Sequence, residues 1–172
     1  MKEIYLNDSP DYQKLKSLQE SYDYLDIESV LLFFEIQKGY KKMKQQHDSL
    51  MFEHDLTEAK FSVMMLLSYE EDRTLSPSEL AQKIGSKKST ITGIIKGMEE
   101  LNYIRRVHKS EDKRTNYVQL TEQGLNKLKE FLPFNYHLVN QYFEVFSQEE
   151  LKTYFKLANK LRKHLEGKDM NE

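Results

Sequence analysis

Between Ser76 and Leu120 the spacing of apolar residues changes once, from a helical period to a strand period, and this switch restricts the fold more than any other feature. Ser76-Pro77-Ser78-Glu79 has the form of a capping box: a serine hydroxyl for the third helical amide, a glutamate to reach back, and proline where its missing N–H is harmless. The helix that it starts is short, ending at Ile84-Gly85, because glycine enters the left-handed region without a Cβ clash. After Ser86 a second helix runs to about Leu101, with Asn102 as its left-handed terminator. Ile104–His108 and Tyr117–Leu120 then read as two strands flanking the polar stretch 109–116.

Helices surround this segment. Ser9-Pro10-Asp11 predicts a first short helix with Ser9 as N-cap and Pro10 at the first helical position, and a longer helix spans about Asp26 to His47. Within the latter, Val30–Phe34 is apolar on every side, so it needs partners on more than one face. Thr57 caps a helix to about Glu70. Another resumes after Thr121 and is interrupted or bent at Pro133. Ser147-Gln148-Glu149-Glu150 is a second capping box. It opens a last helix in which Leu151, Tyr154, Phe155, Ala158, Leu161 and Leu165 form a seam for another helix. The expected architecture is mainly α with a small β-hairpin wing (α+β).

No apolar run exceeds five residues, the start lacks a signal-peptide core, and there is no cysteine. These features exclude a membrane helix and thiol-based metal or redox chemistry, and they predict a cytoplasmic protein. Net charge is −2, yet the stretch from Ser76 to Thr121 carries nine Lys/Arg against five acids, +4 locally and −6 elsewhere. A basic module on an acidic body is an electrostatic footprint for phosphate, although a solvated charged face reads alike from charge alone.

Two helices joined by a Gly-containing turn and followed by a basic hairpin form a winged helix-turn-helix. On the second helix, Ile91, Ile94, Ile95, Met98 and Leu101 share one face and must pack inward. The opposite face carries Ser89, Thr92, Gly93, Lys96 and Glu100, with Lys87 and Lys88 near its start. Small hydroxyls and lysines suit a helix entering the major groove, where they bond base edges and phosphates.

At these residues the chain resembles the MarR family of bacterial transcription regulators. The matching text is Leu56-Thr57, Leu80-Ala81 and Ser89-Thr90-Ile91-Thr92, then the run Met98 to Arg106, Asp112-Lys113-Arg114, and Leu120-Thr121-Glu122-Gln123-Gly124. The ordered set is specific where each piece is weak, and the resemblance spans roughly Leu25 to Leu165. It implies a homodimer with terminal helices at the interface, two winged modules on a pseudo-palindromic operator in double-stranded DNA, and a small-molecule effector pocket. It also assigns Arg114 to the minor groove or an adjacent phosphate, with Asp112 orienting it; Lys109 and Lys113 would add phosphate contacts. The resulting division is an extension at 1–25, a dimerisation region at 26–55 and 122–168, and a DNA-binding module at 56–121. The expected DNA-binding residues are Lys87, Lys88, Ser89, Thr90, Thr92, Lys96, Lys109, Asp112, Lys113 and Arg114.

Three departures from the family pattern stand out. Gly93 and Gly97 replace larger side chains, which implies fewer base contacts. Lys87 replaces a serine, so the cap is expected to pass to Ser86. The tyrosine-rich first 25 residues extend beyond the usual start and are expected to pack on the dimer body.

Other chemistry finds little support. His47, Glu53, His54 and Asp55 lie close in sequence, but the histidines are two helical turns apart, too far to share one ion. There is no phosphate loop, HExxH or GxSxG. No enzyme activity, cofactor or metal is expected. The alternative function is a winged-helix protein-interaction module without DNA binding. The basic set and the Ser/Thr face weigh against it, since a docking face would show exposed aromatics.

Overall fold

The computed structural model describes residues 10–109 and 112–168, without the side chains of 109, 112–115 and 168. The chain divides into two compact units, Met1–Ser49 and Leu50–Glu172.

In the first unit, α1 (Tyr12–Gln19) is capped by Asp11, whose carboxylate accepts the Lys14 amide at 2.8 Å. The expected Ser9 cap is therefore corrected: Ser9 lies outside the described residues, and Pro10 precedes the helix because Asp11 holds the capping position. Among the described residues of this unit, Leu15 and Ile27 are the buried side chains. Helix α2 (Ile27–Glu53) starts in this unit, where Asp26 accepts the Ser29 amide and hydroxyl, and it runs past the expected end at His47. Leu32 and Phe33 of its apolar run are exposed.

The second unit holds α3 (Glu58–Ser68), β1 (Thr74–Leu75), α4 (Pro77–Ile84), α5 (Lys88–Glu100), β2 (Ile104–Lys109), β3 (Asp112–Leu120), α6 (Glu122–Phe143) and α7 (Gln148–Lys168). Thr57 caps α3 as expected, accepting the Lys60 amide at 3.3 Å. Both capping boxes form. Ser76 and Glu79 exchange bonds at the start of α4, and Ser147 and Glu150 do so at the start of α7. Gly85 takes φ 69° and Asn102 φ 54°, so both expected left-handed terminators are used.

The core joins the helices α3 to α6 and the sheet but not α7: Val63, Met64 and Leu67 of α3, Leu80 of α4, Ile91, Ile95 and Met98 of α5, Ile104, Val118 and Leu120 of the sheet, and Leu128 and Phe131 of α6. The three strands are antiparallel in the order β1-β3-β2, with Thr74 opposite Gln119 and Ile104 opposite Leu120. Strand β1 has no counterpart in the sequence reading. The hairpin strands are also longer than expected, since pairing continues to Lys109 opposite Asp112, past an irregularity between Val107 and Lys109.

One glycine is required by packing. A Cβ at Gly124 would overlap the Tyr103 carbonyl, which already accepts the Thr121 amide at 3.0 Å and hydroxyl at 3.1 Å. The Thr121-to-Gly124 turn thus presses the start of α6 against the end of α5. Helix α6 is not interrupted at Pro133, which lies inside it.

Candidate nucleic-acid interface

Helix α5 owes its orientation to one fully buried stripe. Ile91, Ile95 and Met98 face the core and Ile94 is half-buried, so the polar stripe one half-turn away must face solvent. Leu101, expected on the inner face, is instead exposed. It caps the helix at φ −88°, ψ 1°, and the chain turns into the left-handed Asn102 there, which takes Leu101 off the apolar stripe.

On the outer side Lys88, Ser89, Thr90, Thr92 and Lys96 are all exposed, as is Lys87 just before the helix. The cap does not pass to Ser86. Lys87 holds the N-cap position in extended backbone without a side-chain bond, which puts Ser86 one residue too early to reach the first amides. The amides at the start of α5 therefore lack a side-chain cap. The Thr92 hydroxyl donates to the Lys88 carbonyl at 2.9 Å, which leaves its lone pairs directed outward. Nothing lies within 4 Å of a Cβ built at Gly93 or Gly97, so this face is open.

The wing is the β2–β3 ribbon. Lys109 and Asp112 pair across it, and Lys113 and Arg114 follow in β3. The side chains of these four expected contacts, and so the Asp112–Arg114 ion pair, lie outside the described residues.

The nine basic residues of this segment do not share one fate. Lys83 pairs with Glu70 at 3.6 Å. Arg105 donates Nε and Nη2 to the Gln119 carbonyl oxygen at 2.9 and 2.7 Å, and Gln119 passes its own amide to the Asp72 carbonyl at 3.1 Å. Arg106 meets Glu99 in a forked pair, Nε to Oε1 at 2.9 Å and Nη2 to Oε2 at 3.1 Å. Among the described side chains of this set, Lys87, Lys88 and Lys96 have no partner. Sequence reasoning missed the roles of Glu99 and Gln119. Gln119 was within reach, because pairing Ile104 with Leu120 places Arg105 opposite it.

A helix-turn-helix whose second helix offers a free, small, cationic face, followed by a β-ribbon, is a winged helix-turn-helix module. The comparisons agree. Residues 56–115 match the MarR family profile. The chain is 33% identical over 156 residues to the HTH-type transcriptional repressor YetL of Bacillus subtilis, covering 91% of this chain and 93% of that protein. It is 27% identical to the transcriptional repressor MprA of Escherichia coli, covering 92% and 90%. Among solved structures, AbsC of Streptomyces coelicolor, a MarR family regulator, superposes with a TM-score of 0.76 at 23% identity, covering 84% of this chain and 98% of that one. Sco3205 of the same organism, solved in complex with DNA, gives 0.75 at 19%, covering 92% and 93%. The chain belongs to the MarR family of winged helix-turn-helix transcription regulators, a family of regulators rather than enzymes.

Proposed function

We propose that the chain is a sequence-specific transcription repressor that binds a pseudo-palindromic operator in double-stranded DNA as a homodimer and releases it in response to a small molecule. The observation that carries the reading is the outward face of α5, where Lys87, Lys88, Ser89, Thr90, Thr92 and Lys96 stand exposed around an open glycine surface. Lysines there neutralise phosphates, the hydroxyls reach base edges, and nothing bulky blocks the groove. Lys109, Lys113 and Arg114 extend the contact from the wing, with Asp112 orienting Arg114. The DNA complex of Sco3205 and the repressors YetL and MprA support the same reading. Against the protein-docking alternative stands the lack of an exposed aromatic among the described residues of α5.

The dimer is supported by apolar side chains left exposed on α7, among them Phe155 and Leu161, and by Leu32 and Phe33 of α2. On this reading residues 26–55 and 122–168 form the dimerisation region, 1–25 an extension on it, and 56–121 the DNA-binding module. Effector response rests on the family resemblance alone; phenolic and lipophilic compounds that raise the melting temperature and release DNA would identify the ligand. Among the described residues no helix is long and apolar enough to cross a membrane, in keeping with a cytoplasmic regulator.

A mobility-shift series on the DNA upstream of the chain's own gene tests the proposal. If five basic residues per subunit reach phosphates, about ten charges are neutralised and affinity falls with a logarithmic salt slope of about −9. Lys96→Ala or Lys88→Ala flattens that slope by about two, since each counts twice in a dimer. Binding of no duplex at any salt concentration would hand the function to protein docking.

A further inference from the structure

We propose that the tandem arginines Arg105 and Arg106 are positioning residues that brace the root of the wing, with the Glu99–Arg106 pair locking the wing's aim to that of α5. This rests on the DNA-binding reading above. From sequence both arginines count towards the phosphate-binding charge, but both guanidinium groups already have partners.

Successive residues of a strand point to opposite faces, so the two arginines brace β2 from both sides. Arg105 faces away from the core, opposite Gln119, whose amide reaches the Asp72 carbonyl ahead of β1. Arg106 sits opposite Val118, on the face that buries Ile104, Val118 and Leu120. It is the point where the sheet's apolar face gives out, and there Glu99, on the last turn of α5, takes the guanidinium with both carboxylate oxygens. A planar fork on two oxygens constrains angle as well as distance, which a lysine in the same place would not do.

The location matters as much as the bond. The register irregularity between Val107 and Lys109 begins one residue beyond Arg106. Across it β2 advances two residues while β3 runs five, from Tyr117 to Asp112, so the extra residues, and with them the bend, belong to β3. With β2, the regular strand of the pair, held at Arg105 and Arg106, the ribbon leaves its root in a defined direction relative to α5 while β3 absorbs the irregularity. Groove contacts from α5 and from the wing can then be made together without ordering a loose hairpin at each binding event.

The two roles for Arg106 predict opposite signs at Glu99. If Arg106 served phosphate and Glu99 were a bystander, Glu99→Gln would remove a negative charge near DNA and tighten binding. If the pair is a clamp, the same change weakens binding. The probes are a duplex that the wild-type chain enriches from a random-sequence pool, and a random duplex of equal length, each titrated across a salt series with a thermal melt as control. We expect Glu99→Gln and Arg106→Lys each to weaken binding to the enriched duplex by roughly fivefold per wing, the scale of an exposed ion pair, with random-duplex affinity, salt slope and melting temperature nearly unchanged. The exchange Glu99→Arg with Arg106→Glu should restore the ratio of the two affinities. Tighter binding by Glu99→Gln on both duplexes, or an Arg106→Lys variant equal to wild type, overturns the clamp. If the wild-type chain enriches no duplex, the DNA-binding reading falls and the clamp with it.

Discussion

Helices α5 and α7 carry the same kind of sequence signal and meet opposite fates. Each has apolar residues at i, i+3, i+4 and i+7, and in each the pattern predicts a buried stripe. In α5 the stripe is sealed: Ile91, Ile95 and Met98 are at most 1% exposed, closed over by α3, α4 and the sheet. In α7 it is bare, with Phe155, Leu161 and Leu165 at 68%, 45% and 54%. An apolar period says that a face wants to leave water and is silent on whether the cover comes from the same chain. Around α5 the cover is local in sequence, from residues 56 to 131. Around α7 none of the described elements closes over the stripe, and a second copy is the cover we propose.

The largest effect should come from attacking the sealed stripe. Ile95→Ala removes most of a fully buried side chain from the centre of the module and should cost about 2–5 kcal/mol, seen as a fall in denaturation midpoint. A cost below about 1 kcal/mol would show that α5 is not packed as described.

Next comes the bare stripe. Phe155→Glu with Leu161→Glu should leave the isolated module folded but convert a species of about twice 20.6 kDa into one near 20.6 kDa by sedimentation, and operator binding should go with it. A double variant that remains dimeric would move the interface elsewhere.

A third change uses the outward side of α5. Nothing lies near a Cβ at Gly93, so Gly93→Ala should stabilise the helix by up to about 1 kcal/mol. DNA affinity should nevertheless fall, because that face approaches the duplex. A rise in both would detach the glycine from DNA contact.

The smallest effect lies at the start of α7. The Ser147 amide, then its hydroxyl, hold the Glu150 carboxyl below the usual carboxylate range. A pKa depressed by folding contributes stability above the unfolded value and loses it as pH falls through the folded one. The melting difference between wild type and Glu150→Gln should thus be present at neutral pH and fade below about pH 4. A gap that persists unchanged in acid would mean that the capping box is not its source.

Much of this was legible in the sequence. The capping boxes at Ser76 and Ser147, the left-handed Gly85 and Asn102, and the Thr57 cap all act within a few residues, so sequence neighbours suffice to predict them. What escaped was non-local or energetically slight. Strand β1 is two residues long, too short for any period, and exists because Thr74 and Leu75 meet Gln119 and Val118, far along the chain. Leu101 left its stripe because the helix ended under it, and Ser86 lost the cap by one residue.

The order of the helices and the hairpin, the buried face of α5 and the glycine turn between α4 and α5 were therefore determined by the sequence alone, since each depends on period, cap or backbone chirality over a single turn or helix. Which charges are free was decided only by tertiary structure. Lys88, Lys96, Arg105 and Arg106 look equivalent as a string, but the antiparallel register sets Arg105 against Gln119, and the packing of β2 on α5 sets Arg106 against Glu99. A charge becomes a strut or a ligand according to what lies within about 3 Å of it, and that distance is a property of the fold.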